Sequence, residues 1–258
     1  MNRRHFLKGS AASLAVSPHM TAASSHPSFF ELRYYRLRNG PQVERTNQFL
    51  SKTYLPAAIR AGAGPLGFFG GLVAPQMPFV LVLTGFRSLA AMESAMDKMA
   101  ADPAFRKGAD AFDSMTELSY IRMESSLFRG FRTFPDIQVP PVNDGQPPRV
   151  FELRTYEANH AKASQRKIGM FDEGEIDIFR KCKMTPVFFG DAIAGANLPN
   201  LTYMLAFDSL AAREEAWKTF INDPDWQKLR VKPGLSDAEI VSNISGSLLR
   251  PMPYSPIR

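Results

Sequence analysis

The chain of 258 residues contains one cysteine, two tryptophans and four histidines. A single cysteine, Cys182, excludes an intrachain disulfide. Of the histidines, His5, His19 and His26 lie at the N-terminus and only His160 lies in the body of the chain. No Cys/His cluster of the kind that holds zinc can be read from that distribution, so no metal site is expected. No apolar run in the sequence reaches the roughly 20 residues a membrane-spanning helix needs, so no stable membrane anchor is expected. Runs of Lys and Arg interleaved with aromatics are also missing, which excludes nucleic acid as a partner. The formal charge is +6, but Arg3, Arg4 and Lys8 sit in one short N-terminal stretch, and the remainder carries about +3.

What is present is enough apolar material for a sizeable core, at 45% hydrophobic and 11% aromatic residues. The chain opens Asn2-Arg3-Arg4-His5-Phe6-Leu7-Lys8, followed by a short stretch of small residues from Gly9 to Val16. This resembles a twin-arginine export signal, with Asn2 in the place usually held by Ser or Thr. Residues 1–28 are therefore expected to be a signal peptide, with cleavage after Ala23. The mature protein is expected in the periplasm or outside the cell.

The remaining sequence repeats itself. Phe30-Glu31-Leu32-Arg33-Tyr34-Tyr35 returns 121 residues later as Phe151-Glu152-Leu153-Arg154-Thr155-Tyr156. The same offset relates Phe86 to Phe207, Ser88-Leu89-Ala90-Ala91 to Ser209-Leu210-Ala211-Ala212, and Asp102-Pro103 to Asp223-Pro224, with no gap. A fixed period of this kind signals a duplicated structural unit. Two modules are expected, at residues 29–133 and 150–251, joined by a Pro-rich linker at 134–149 and followed by a tail at 252–258.

Within the first module, residues 30–37 alternate as a strand and 42–61 read as a helix. Residues 66–74 and 78–86 form a hairpin, Ser88 caps a helix ending near Ala101, and Asp102-Pro103 starts another. A last strand covers about 117–128. The order β-α-β-β-α-β is the ferredoxin-like plan, an α+β fold with helices on one face of an antiparallel sheet. Two such sheets can bury their bare faces against each other as an αβ barrel, within one chain or between chains.

The Phe-Glu-Leu-Arg-x-Tyr openings belong with Phe207-Asp208-Ser209-Leu210-Ala211-Ala212-Arg213-Glu214, Trp217 and Asp223-Pro224-x-Trp226 in the second copy. Together these resemble the NIPSNAP family of the dimeric αβ-barrel superfamily. The first copy departs from the pattern, with Met92 in place of Arg213 and Phe105 in place of Trp226. The resemblance implies the fold and carries over no catalytic residue.

Strand alternation sets Phe30, Leu32 and Tyr34 on one face and Glu31, Arg33 and Tyr35 on the other. The apolar set is expected to face the helices. Glu31, Arg33, Tyr35 and their counterparts Glu152, Arg154 and Tyr156 would then line the barrel interior. The last strands would supply Arg122 and Glu124 in one copy and Asn243 and Ser245 in the other. Neutral residues beside Arg154 leave two readings: a structural Glu152–Arg154 pair, or an arginine with donors available to an anion. Glu31, Arg33, Tyr35, Arg122, Glu152, Arg154, Tyr156 and Asn243 are the ligand-binding candidates.

Other features have plainer readings. His160 suits a loop or a helix start better than a haem ligand or general base. Cys182, flanked by Lys181 and Lys183, could be an activated thiol, but an inert one near a helix end is simpler. Asp172, Glu173, Glu175 and Asp177 read as a solvated helix face. The expected function is small-molecule binding in the cavity between the modules. An enzyme of αβ-barrel type (cofactor-independent oxygenase, isomerase or haem-dependent) and an envelope interaction or assembly protein are the alternatives. The sequence names no cofactor and leaves homo-oligomerisation open.

Overall fold

A computed structural model describes residues 28–114, 118–141 and 145–258. Of the expected export signal, residues 1–27, which include the expected cleavage site, lie outside the described residues. The N-terminal half runs β1 (Phe29–Arg36), α1 (Pro41–Phe49), a π-helical turn (Leu50–Tyr54), α2 (Leu55–Ala61), β2 (Leu66–Val73), β3 (Phe79–Phe86), α3 (Leu89–Ala101), α4 (Pro103–Asp113) and β4 (Arg122–Gly130). The C-terminal half runs β5 (Val150–Glu157), α5 (Ala161–Met170), a second π-helical turn (Phe171–Glu175), α6 (Ile176–Lys181), β6 (Thr185–Ala194) and β7 (Asn200–Phe207). It ends with α7 (Leu210–Asn222), α8 (Pro224–Leu229), α9 (Asp237–Ile240) and β8 (Asn243–Pro251).

Local chemistry sets these boundaries. The Ser88 and Ser209 hydroxyls accept the Ala91 and Ala212 amides at 3.1 and 3.0 Å, closing the first turns of α3 and α7. Asp102 and Asp223 cap α4 and α8, each with proline at the first helical position, where no amide is needed.

All eight strands join one closed antiparallel barrel in the order β1-β3-β2-β8-β5-β7-β6-β4. The barrel closes within a single chain, through β2–β8 and β4–β6. The interior is apolar and drawn from both halves: Phe30 lies 4.7 Å from Phe188, and Phe69 lies 4.9 Å from Phe151, centroid to centroid. Leu32, Leu83, Leu153, Met204 and Leu249 complete this interior core. Two further cores lie outside the barrel, where each half packs its helices on its own sheet.

The expected strand faces are therefore inverted. Phe30 and Leu32 point into the barrel, while Tyr35 packs in the helix-side core with Leu50, Tyr54, Ala57 and Ala58. The reason is closure: a barrel of eight strands must fill its interior with side chains, and the bulky apolar row does so. The charged row lies under the helices instead, where ion pairing and partial solvent contact are both available.

The start of the linker and the tail pack against the fold. Phe134 and Ile137 are buried, and the Gln138 amide bonds the Val187 carbonyl at 2.8 Å. At the C-terminus Ile257 is fully buried in the barrel core, and the Ser255 hydroxyl accepts the Phe68 amide at 2.9 Å. Among the described residues no helix is long and apolar enough to cross a membrane.

Candidate functional site

The eight candidate residues do not converge on one site. Glu152, Arg154 and Tyr156 lie under the helices of the C-terminal half, and Glu31, Arg33 and Tyr35 under those of the other. Arg122 and Asn243 sit at one mouth of the barrel, away from both clusters. Register explains the separation. Arg154 lies opposite Gly246 and Arg33 opposite Ser125, whereas Asn243 pairs with Glu157 and Arg122 with Arg36.

In the N-terminal half Glu31 is buried and relies on Arg33. The guanidinium donates from Nε at 3.0 Å and from Nη2 at 2.9 and 3.0 Å, and the Ser125 hydroxyl adds another bond. All of Arg33's close contacts to carboxylate therefore go to one partner.

The C-terminal half is wired differently. Glu152, also buried, accepts from Arg213 Nε at 2.8 Å, Arg213 Nη2 at 2.7 Å and the Trp217 indole at 2.7 Å. Arg213 and Trp217 stand four residues apart on α7, which places them on one helix face. Arg154 makes only one long bond to Glu152, at 3.2 Å, and one to the Tyr156 hydroxyl, at 3.3 Å. Its Nε is buried and has no hydrogen-bond partner among the described residues. Burial would raise the Glu152 pKa, but the bonds from Arg213 and Trp217 and the charges of Arg213 and Arg154 outweigh it and hold the carboxyl below its ordinary range.

Around Arg154 lies a buried polar and aromatic cluster in which Lys167, Glu175 and Trp217 take the places of Thr46, Tyr54 and Met96 in the N-terminal half. The guanidinium sits 4.9 Å from the Trp217 ring centroid and 5.5 Å from that of Tyr156. The Tyr156 and Tyr203 hydroxyls bond at 3.1 Å, and burial pushes the Tyr203 phenol well above its ordinary pKa. Lys167 Nζ lies 3.2 Å from Glu175, with both side chains 2% exposed. Glu175 is thus no part of a solvated acidic face, and burial raises its pKa against the pull of Lys167. The remainder of the acidic run does reach the surface groups Thr133, Lys232 and Arg180.

Sequence reading missed Lys167, Tyr203 and Glu175 as members of this cluster and used Arg213 and Trp217 only as motif. The signal was in the repeat itself. At the 121-residue offset these positions correspond to Thr46, Val82, Tyr54, Met92 and Met96, every one a change of polarity or charge.

The barrel mouth holds a cavity of about 270 Å³ lined by both halves. Leu32, Phe128 and Leu153 form its floor. One wall carries Tyr34 and Arg36, with the Arg36 guanidinium 4.2 Å over the Tyr34 ring and 2.8 Å from Glu124. The other carries Thr155 and Thr202, whose hydroxyls bond at 2.8 Å, and Asn200, which accepts from Thr202 at 3.3 Å. Ser126, Ser245 and Ser247 also line the cavity, and their hydroxyls have no partner among the described residues. At the rim Asn243 donates to Glu157 at 2.9 Å, and Arg122 bonds Glu124 and Gln76.

The remaining candidates take structural places. His160 caps α5, its Nδ1 accepting the Ala163 amide at 3.2 Å. Cys182 is buried and its thiol pKa is raised by that burial, the opposite of an activated nucleophile. Among the described residues no group of three or more His, Cys, Asp or Glu is placed to hold a metal.

Two solved structures share this fold over most of their length. A candidate monooxygenase from Lactobacillus acidophilus NCFM aligns at TM-score 0.53 and 12% identity, over 86% of this chain and 93% of that one. A candidate monooxygenase from Fusobacterium nucleatum aligns at TM-score 0.53 and 7% identity, over 88% and 93%. A NIPSNAP family protein of unknown function from Agrobacterium tumefaciens aligns at TM-score 0.38 and 20% identity, over 43% of this chain and 95% of that one. No curated protein sequence matches. The family profile described as NIPSNAP matches residues 151–256, so the half that carries Arg213 and Trp217 against Glu152 is a NIPSNAP domain.

Proposed function

We propose that the protein binds a small molecule in the cavity between its two halves, at the polar mouth of the barrel. The observation that carries this reading is the set of uncommitted hydroxyls on Ser126, Ser245 and Ser247, supplied by strands of both halves to one hollow. Tyr34 offers an aromatic face, and Thr155, Thr202 and Asn200 offer hydroxyl and amide groups opposite it. A hydroxylated molecule with one apolar face matches those walls, and at their edge Arg36 and Arg122 share the carboxylate of Glu124. Of the sequence candidates, Arg122 and Asn243 belong to this reading as rim residues.

Native mass spectrometry of the protein as isolated tests it. A small bound mass is expected in the wild type and is lost in Ser247→Phe, which fills the hollow. Retention of the same mass by that variant would place the ligand elsewhere. The oxidative reading has no comparable support, since neighbours at 12% and 7% identity carry the fold and no chemistry.

Two further elements belong to the proposal. The N-terminal half is a diverged copy of the NIPSNAP domain, supported by secondary structure that recurs at the 121-residue offset, as in β1 and β5, α3 and α7, and β4 and β8. Export by the twin-arginine route rests on Arg3-Arg4 ahead of Phe6-Leu7-Lys8. Undiminished periplasmic recovery of an Arg3→Lys, Arg4→Lys variant would refute it.

A further inference from the structure

The C-terminal half holds an arginine whose nearest carboxylate does not need it. Glu152 is gripped by both Arg213 nitrogens and by the Trp217 indole, all within 2.8 Å, before Arg154 adds its bond at 3.2 Å. A carboxylate has about four lone-pair positions, and three are filled at short range from α7 alone. Arg154 is left with an unpartnered Nε and with Nη groups that make only long contacts. Its side chain is 22% exposed, although Nε itself is buried.

The charge balance points the same way. Arg154, Arg213 and Lys167 face Glu152 and Glu175, leaving one positive charge in excess within the cluster. Asp237 approaches Lys167 at 4.0 Å, but it is 62% exposed and screened by water. The matching place in the N-terminal half has no excess, since Arg33 is held by Glu31 and the residues corresponding to Arg213 and Lys167 are Met92 and Thr46.

We propose that the NIPSNAP domain carries a second binding site, for a small carboxylate, centred on the Arg154 guanidinium between the Trp217 and Tyr156 rings. A planar fork that keeps donors available is the arginine geometry that recognises a carboxylate. The flanking rings favour a carboxylate attached to a flat apolar group. This site is separate from the barrel mouth, because the Arg154 side chain lies on the opposite face of β5 from Leu153 and Thr155, which line that cavity.

Benzoate is the probe, with benzyl alcohol as its neutral counterpart. The chain has two tryptophans, and both lie in this cluster: Trp217 at 4.9 Å from Arg154 and Trp226 at 5.6 Å from Lys167. Intrinsic tryptophan emission therefore reads the site without a label. Benzoate is expected to change the emission saturably and benzyl alcohol to leave it unchanged. Arg154→Gln should weaken benzoate binding by about tenfold or more, while Arg33→Gln and Ser247→Phe should leave it as in the wild type. An unsaturable response, an equal response to benzyl alcohol, or undiminished binding by Arg154→Gln would each overturn the proposal. If Arg154→Gln fails to fold, Arg154→Lys keeps the charge but loses the fork, and unchanged benzoate affinity in that variant would be equally fatal.

Discussion

The two halves start from the same strand, Phe-Glu-Leu-Arg, and give the glutamate different partners. In the N-terminal half Glu31 depends on its strand neighbour Arg33. In the C-terminal half Glu152 is held from across the interface by Arg213 and Trp217 on α7. Two substitutions on one helix face, Met92 against Arg213 and Met96 against Trp217, account for the change. The difference shows how two halves that share a strand sequence can give a buried glutamate different partners without altering the strand that bears it. A second, remote partner satisfies the carboxylate, and the local arginine becomes available.

This contrast can be broken at its centre by Glu152→Ala. That change leaves Arg213, Arg154 and the Trp217 indole without their shared acceptor, and it should cost about 3–5 kcal/mol in urea denaturation. A loss below about 1 kcal/mol would mean the arginines are solvated well enough not to need Glu152. Arg33→Gln is expected to come next. It leaves Glu31 buried with the Ser125 hydroxyl as its remaining donor, for a loss of about 2 kcal/mol once the 20% exposure of Arg33 is allowed for. Arg154→Gln should be the mildest, within about 1 kcal/mol of the wild type, because the short bonds to Glu152 remain. If the two arginine variants lose equal stability, the halves are wired alike in solution and the comparison fails.

Much of this architecture was legible before any coordinates. The caps at Ser88 and Asp102 and the hairpin of residues 66–86 are local signals, and each falls where it was expected. The orientation of β1 and β5 was not legible, because alternation separates two faces without saying which is inside. Only closure through β2–β8 and β4–β6 decides that, and closure is a long-range property. The partners of Glu152 were missed for a related reason. Arg213 stands 61 positions away, and its pairing depends on how α7 lies across the sheet. Lys167 and Glu175 were hidden by composition, since a charged residue within a polar run looks solvated until the helix is packed.

Closing the barrel inside one polypeptide also changes how its assembly responds to concentration. A barrel built from two separate subunits must overcome the loss of translational freedom and comes apart on sufficient dilution. Here the segment from Phe131 to Val150 joins the halves, so each meets the other at an effective concentration in the millimolar range or above. The joints at β2–β8 and β4–β6 can then be modest in strength and still remain closed in a very dilute compartment. The same tether removes the symmetry of a homodimer, in which any change to one sheet is made to the other as well. One half could therefore keep Met92 while the other carries Arg213, in a barrel that remains whole.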